Sequence, residues 1–346
     1  MNTDDNGSPR TAIADNADRP RILPAGILLG GLGILAFSFS LPMNKLAVAG
    51  IDAYTVTALR AAFAGLLALV YLLMRRPSLP GRHDVVLLVC SGMGVVVGFP
   101  LFSSLALERI DSATTAVING LLPALTATFA ALVGRERLPP VFWMATGAGV
   151  VVLTAYLLAT SPEGLGGFSL DWGYLWMVLA TISGGFGYAC GGSVAKRIGG
   201  AQSISWSLVL LLPLSIPAAI AGMLFGTVTL TASVIAGMVY LTVISQFLGF
   251  FAWYGGLARG GIARIGQLQQ VQPLLTIVWF ALLLGERLDA WIYLVGLVLS
   301  LLVWIAQRAR LQTPPQTRAT YLHSHPLQPA RMQAGGANSA EGGLRH

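Results

Sequence analysis

Charged residues are scarce in this sequence. Only 10% of the 346 residues are Asp, Glu, Lys or Arg, whereas an ordinary soluble domain carries roughly a quarter. Apolar residues make up 55% of the chain, and the mean hydropathy is +0.72. So few charges cannot cover a surface that faces water. The composition therefore excludes a pair of soluble domains and predicts lipid as the solvent for most of the chain.

The residues of familiar catalytic and metal sites are missing as well. The sequence has two cysteines, Cys90 and Cys190, and both lie in apolar runs, which excludes a disulfide framework and a zinc site. The four histidines lie in one predicted connection and in the C-terminal segment. No HExxH, Walker A or GxSxG motif occurs. We therefore expect no catalytic residue, no metal site and no cofactor.

Long apolar stretches follow one another along the chain, separated by short, turn-rich connections. Each is long enough to cross a bilayer as a helix of roughly 20 residues, and helices satisfy their own backbone groups in lipid. They predict an all-α integral membrane protein with ten transmembrane helices near residues 22–44, 53–74, 84–106, 112–134, 141–160, 172–194, 203–225, 231–256, 262–284 and 289–307. The polar segments 1–21 and 308–346 are predicted to be disordered cytoplasmic tails.

The basic residues are distributed as a topology signal. The net charge is +7, but no basic stripe is interleaved with aromatic residues, so no nucleic-acid partner is predicted. With a cytoplasmic N-terminus, seventeen of the 21 basic residues lie on the inner side and only Lys45, Arg109 and Arg287 on the outer side. Arg60 lies within a span. This bias predicts a bacterial-type inner (plasma) membrane protein with both termini in the cytoplasm.

The two halves of the chain repeat each other. A shift of 150 residues places Leu107–Leu138 on Leu257–Leu288 without a gap, and eleven of the 32 positions are identical. The matches include an intramembrane proline, Pro123 and Pro273, and a Glu-Arg-Leu motif at the helix end. Each half has five predicted spans, an odd number, so the halves must lie in opposite orientations. Inverted repeats are typical of transporters with a binding site near the middle of the membrane.

These repeated motifs resemble the paired EamA modules of the drug/metabolite transporter superfamily. The segments that carry the resemblance are Ser112–Ala116, Leu122–Pro123 and Gly134–Leu138, followed by Gly261–Ala263, Gln272–Pro273 and Gly285–Leu288. The resemblance implies two five-helix repeats, at 22–160 and 172–307, with both termini cytoplasmic. It also implies export of amino acids, nucleosides or other small metabolites. Among bacterial members the sequence is similar to the YddG-like aromatic amino-acid exporters.

The matched prolines mark a candidate cavity wall. Pro123 and Pro273 each remove one helix hydrogen bond and free the carbonyl four residues earlier, which belongs to Asn119 or Gln269. We expect two kinks that bring a polar amide and a free carbonyl to each side of a pseudo-twofold axis. The alternative is that both amides bond to neighbouring helices. Gln270 belongs to the same amide-rich ninth span and is a further candidate.

Other polar and aromatic residues within the spans are also candidates for substrate binding. Arg60 either holds a substrate carboxylate with two hydrogen bonds or extends its side chain to the headgroups. Tyr188 and Trp253, with Gln246 nearby, suit a planar or apolar substrate side chain, although most aromatic residues in membranes serve packing. Ser103 completes the candidate set.

The predicted function is export of a small metabolite, a neutral or aromatic amino acid, by alternating access. Two alternatives remain: a non-transport membrane protein (scaffold, scramblase or membrane-embedded enzyme), or a transporter of nucleosides or vitamins. No Asp, Glu or His lies deep in a predicted span, which favours facilitated efflux over a pump that uses carboxylates. The expected partners are the small-molecule substrate and the bilayer, and the expected state is a monomer or homodimer.

Overall fold

The computed structural model describes residues 24–134, 138–160, 171–261, 265–286 and 290–312. Within these ranges the regular structure is helical, apart from one isolated antiparallel bridge between Ile51 and Val228. The predicted tail at 1–21 lies outside the described residues, and so do parts of both Glu-Arg-Leu motifs. The last helix continues to Gln312, five residues past the predicted end of its span.

The helices form two consecutive sets of five spans. The first set consists of Pro24–Ser38 with Ser40–Val48, Ala53–Arg75, Arg82–Gly92 with Phe99–Leu107, Ser112–Asn119 with Leu122–Gly134, and Pro140–Thr160. The second consists of Trp172–Ile198, Gly200–Leu210 with Leu212–Phe225, Ala232–Val239 with Gly249–Gly260, Val271–Leu284, and Ala290–Gln312. Among the described residues nine spans are individually long and apolar enough to cross a bilayer, and the seventh is a helix pair bent by 57°. The predicted all-α membrane fold is confirmed.

Short polar residues begin the even-numbered spans at one end of the bundle. Asp52, Asp111, Asp171 and Thr231 each accept a hydrogen bond from a backbone N–H in the first turn of the helix that follows. The first N–H groups of a helix have no partner within it, and such a cap supplies one. The caps fix where the second, fourth, sixth and eighth spans start.

The repeated prolines coincide with repeated helix breaks. The fourth span is interrupted between Asn119 and Leu122, and the ninth span starts as a 3₁₀ helix, Gly266–Gln270, before Val271. In both cases the break lies just before the proline, whose ring prevents a regular hydrogen bond to the preceding turn. The predicted kinks therefore have a structural counterpart in each half.

A second pair of irregularities carries no proline signature. The third span contains a π-helix at Met93–Gly98, and the eighth contains one at Tyr240–Leu248. The 150-residue shift places the first of these segments inside the second. π-Helical turns interrupt the regular ladder and are frequent at functional sites. These segments were not predicted from the sequence.

Glycines allow the two repeats to pack closely around the centre of the bundle. A Cβ atom at Gly94 would lie 2.7 Å from the Cα atom of Gly187, so the third and sixth spans are in backbone contact. The fifth and tenth spans pack against each other and expose much apolar surface, as expected for helices that face lipid. The exception in the tenth span is Gln307, which is buried and donates a hydrogen bond to the carbonyl of Pro123.

Candidate functional site

A small cavity lies between the two repeats, at positions well inside the spans. Its volume is about 20 Å³, enough for about one water molecule. Six spans contribute to its wall, which consists of Phe37, Ser40, Leu41, Arg60, Val95, Phe99, Tyr188, Ser245, Gln246, Phe250 and Gln272. The set combines one cation, several neutral polar groups and a wall of aromatic rings.

Arg60 is the charged group of this cavity. It is 4% exposed and lies seven residues beyond Ala53, about 10 Å along the helix. Its Nη2 donates to Oε1 of Gln246 at 2.7 Å and to Oγ of Ser245 at 3.5 Å, while Nε has no partner among the described residues. The side chain therefore points into the protein, and its guanidinium keeps at least one donor free.

Gln246 connects the two π-helical segments. Its Nε2 donates to the backbone carbonyl of Val95 at 3.2 Å, and its Oε1 accepts from Arg60. Val95 lies in the π-helix of the third span and Gln246 in that of the eighth. The irregular segments of both repeats thus meet at the cavity, where one amide bonds a cation and a backbone carbonyl at once.

Aromatic rings close the cavity on one side. Phe37, Tyr188 and Phe250 line it, and their ring centroids lie 4.8–5.9 Å apart. Trp253 packs behind them, 5.9 Å from the Tyr188 ring, and does not line the cavity. Its indole Nε1 is buried and has no partner among the described residues.

The kink residues lie apart from this cavity. Asn119 and Gln269 are each 1% exposed, and neither amide has a hydrogen-bond partner among the described residues. The side-chain nitrogen of Gln270 likewise has no partner within the described part of the chain. Pro123 and Pro273 lie beside the breaks, and the Pro123 carbonyl accepts from Gln307. The predicted polar notches are thus closed in this conformation.

Ser103 belongs to a separate polar cluster. Its hydroxyl accepts from Nδ2 of Asn44 at 3.4 Å, and Ser104 donates to Oδ1 of the same asparagine at 3.1 Å. This cluster lies in the same two spans as cavity residues Ser40 and Phe99, one turn further along each. Ser103 therefore connects the first and third spans and does not reach the cavity.

Three polar residues of the cavity were not among the predicted site residues: Ser40, Ser245 and Gln272. Ser40 and Ser245 share a hydrogen bond of 2.7 Å that joins the first and eighth spans. Gln272 is 4% exposed, and its Oε1 has no partner among the described residues. The signal for Gln272 was its place in the amide-rich ninth span, directly before Pro273.

One end of the bundle is closed by backbone hydrogen bonds between the repeats. The connection Gly50–Asp52 pairs with Thr227–Thr229; we call this pairing the clasp. The Asp52 N–H donates to the Thr227 carbonyl at 3.2 Å, and the Thr229 N–H donates to the Gly50 carbonyl at 2.7 Å. A carboxylate oxygen of Asp52 also accepts from the Thr227 N–H at 3.0 Å.

The opposite end of the bundle holds a larger cavity. We call it the vestibule; it measures about 730 Å³, and its wall includes Tyr71, Arg75, Lys196, Phe251 and Arg259. The aromatic wall separates the vestibule from the central cavity, since Phe250 lines one and the next residue lines the other.

The closure of the bundle is therefore asymmetric. In an inverted repeat, the counterparts of the clasp are the connections at Gly199–Gly200 and at Arg76–Gly81. Among the described residues no backbone hydrogen bond joins these two connections, and Gly199 and Gly200 line the vestibule instead. The clasp end is tied by backbone pairing, whereas the other end is sealed by aromatic side chains.

Comparisons with known proteins agree with this architecture. Both halves match the EamA-like transporter family, over residues 24–160 and 171–306. A Bacillus subtilis (strain 168) protein named "Uncharacterized transporter YdeK" is 38% identical over 283 residues, which cover 82% of this chain and 97% of that protein. One crystal structure superposes with a TM-score of 0.57 at 20% identity, over 84% of this chain and 99% of its own. That likeness shows the fold alone.

The hydrogen bond between Arg60 and Gln246 leads to a stability prediction. Gln246→Leu leaves the buried guanidinium without its nearest acceptor, and a hydrogen bond to a charged group contributes roughly 1.5–3 kcal/mol. We expect thermal unfolding in detergent to shift down by a few degrees. Gln267→Leu is the matched control, because Gln267 is partly exposed and forms no hydrogen bond with a described residue. Equal midpoints for both variants would contradict the role assigned to Gln246.

Proposed function

Because the chain belongs to the EamA-like transporter family, we propose that it exports a neutral or aromatic amino acid by alternating access around the central cavity. One observation carries the proposal. Arg60 is buried at the interface of the repeats, bonded to Gln246, with its Nε–H unpartnered among the described residues. A buried cation with a free donor is a site for a carboxylate, because the guanidinium can form paired hydrogen bonds with it.

The remaining cavity groups suit the other parts of an amino acid. Oε1 of Gln272 is an unpartnered acceptor among the described residues and lines the cavity, so it can accept from an α-ammonium group. Phe37, Tyr188 and Phe250 offer aromatic surfaces to an apolar or planar side chain. Arg60 then binds the carboxylate, Gln272 the ammonium group and the rings the side chain.

The size of the cavity supports alternating access. A space of about 20 Å³ admits about one water molecule, so substrate can bind only after the repeats move apart. In inverted repeats the same motion can occur at either end. The clasp and the aromatic wall are then the two gates: one opens by breaking the backbone pairing of Gly50–Asp52 with Thr227–Thr229, and the other by separating the rings.

The distribution of charged residues supports a direction of transport and an absence of proton coupling. The positive-inside rule assigns the end of the bundle with Arg75, Lys196 and Arg259 to the cytoplasm. The substrate would then enter from the cytoplasm through the vestibule, and the clasp would be the outer gate. No Asp, Glu or His is among the residues that line the central cavity. A site without such groups has no side chain to exchange a proton, so we expect efflux down the substrate gradient.

Counterflow in proteoliposomes tests this function. Vesicles preloaded with one unlabelled amino acid should accumulate the same labelled amino acid without a pH or sodium gradient. Neutral and aromatic amino acids are compared with nucleosides and vitamins. Exchange of nucleosides or vitamins alone, or exchange that requires an imposed gradient, would overturn the proposal.

Cross-linking the clasp gives a second test in the same assay. Ile51→Cys with Val228→Cys, in a background with both native cysteines replaced by alanine, places two thiols on paired residues of the bridge. After oxidation, exchange should fall to that of empty vesicles, and a reductant should restore it. Each single-cysteine variant should exchange normally throughout.

The unpartnered kink amides lead to a prediction that separates stability from transport. We expect Asn119→Leu and Gln269→Leu to fold with unchanged or higher thermal stability, because burying an unpartnered amide is costly. If these amides face the substrate route when the repeats separate, a lost hydrogen bond of roughly 1–3 kcal/mol should weaken apparent affinity at least about fivefold. Val150→Leu, in the exposed face of the fifth span, is the control. Normal transport by variants of lower stability would show instead that the amides serve helix packing.

A further inference from the structure

The cations of the vestibule have no counter-ion among the described residues. Arg75 and Lys196 form no hydrogen bond or ion pair with any described residue, and Arg259 donates only to the backbone carbonyl of Gly255, at 3.2 Å. The neighbouring Arg197, by contrast, is paired with Asp84. No Asp or Glu is among the residues that line the vestibule. No carboxylate among the described residues therefore neutralises its positive charge.

These cations lie at the level where the spans leave the membrane. Arg75 is the last residue of its helix, Lys196 is two residues from the end of Trp172–Ile198, and Arg259 is one residue from the end of its own. Three spans thus bring their terminal charges to one cavity. That level is where lipid headgroups are found.

The vestibule is apolar away from these charges. Leu248 also lines it and lies eleven residues before Arg259 on the same span, about 16 Å along the helix axis. It is 45% exposed, so this part of the wall reaches the lipid-facing surface. The rings of Tyr71 and Phe251 pack edge to face between these two residues, with centroids 4.9 Å apart. The cavity therefore runs from a cationic end to an apolar end open to lipid.

We propose that the vestibule binds an anionic phospholipid, with the phosphate of its headgroup between Arg75, Lys196 and Arg259 and the start of its chains along Tyr71, Leu248 and Phe251. A small soluble anion would match the charges but would leave about 16 Å of apolar wall unfilled. A phospholipid matches both ends. The volume of about 730 Å³ is within the range of ordinary ligand sites.

Such a lipid would favour the conformation described here. It occupies the vestibule, which is present in the conformation with a closed clasp. A ligand that binds one conformation better than another shifts the population toward it. The lipid would therefore stabilise the state with a closed clasp relative to the state in which the vestibule is closed.

Thermal unfolding of the full chain in mixed micelles tests this proposal. The three probes are phosphatidylglycerol, phosphatidylcholine and inorganic phosphate at equal concentration. The test variant combines Arg75→Gln, Lys196→Gln and Arg259→Gln. The control variant combines Arg76→Gln, Arg82→Gln and Arg308→Gln, which removes the same charge from exposed positions outside the vestibule wall.

Phosphatidylglycerol should raise the unfolding midpoint of the wild type and of the control variant, and phosphatidylcholine and inorganic phosphate should not. The test variant lacks the three cations that would contact the phosphate, so it should lose most of the midpoint shift that phosphatidylglycerol gives in the control variant. An equal loss in both variants would show general surface attraction and overturn the proposal. A midpoint shift with inorganic phosphate as large as with the lipid would also overturn it, in favour of a site for small anions.

Discussion

One buried guanidinium constrains the centre of this protein. A charge within a membrane span is costly unless it is hydrogen-bonded or faces water, and Arg60 is 4% exposed. Its acceptors, Gln246 and Ser245, belong to the eighth span, so the charge of the first repeat is stabilised by the second. Gln246 in turn donates to Val95 in the first repeat. Hydrogen bonds in both directions between the repeats therefore hold Arg60, Gln246 and Val95 at the cavity.

The two repeats share their shape but not their chemistry. Helix breaks before Pro123 and Pro273 and π-helical segments in the third and eighth spans occur in both halves. The repeat counterpart of Arg60 is the apolar stretch Leu210–Leu212. Repeated irregularities make a motion at either end possible, whereas the single cation makes the cavity chemically asymmetric. The two ends of the bundle also differ, since the clasp is closed and the vestibule is open.

The sequence predicts the architecture well, because span length and loop charge follow from lipid itself. Apolar stretches are enough to predict the spans and the repeats. The breaks beside the prolines follow because proline has no backbone N–H to donate. The orientation of Arg60 could not be predicted, since both a cavity and the headgroups lie within reach of its side chain. Its acceptor is 186 residues away along the chain. The π-helices have no residue signature, and they determine which side chains meet.

The positions of the amides of Asn119 and Gln269 also could not be predicted from the sequence. Asn119 and Gln269 were predicted to line the cavity because each precedes a proline. The structure buries both outside its wall, and the ninth span contributes Gln272 instead. Gln307 lies in the tenth span, which exposes much apolar surface, yet it donates to the Pro123 carbonyl. A proline predicts a break in the helix but not which side chains of neighbouring helices will lie beside it.

The most direct measurement of the central claim compares exchange of an aromatic amino acid with exchange of its carboxamide, in proteoliposomes containing wild-type protein or Arg60→Gln. The carboxamide keeps the ring and the ammonium group but has no negative charge for the guanidinium. The wild type should prefer the carboxylate at least about tenfold, since a hydrogen bond to a charged group contributes roughly 1.5–3 kcal/mol, and Arg60→Gln should lose that preference. Equal exchange of both compounds by the wild type, or an unchanged preference in the variant, would contradict the assignment of Arg60 as the carboxylate site.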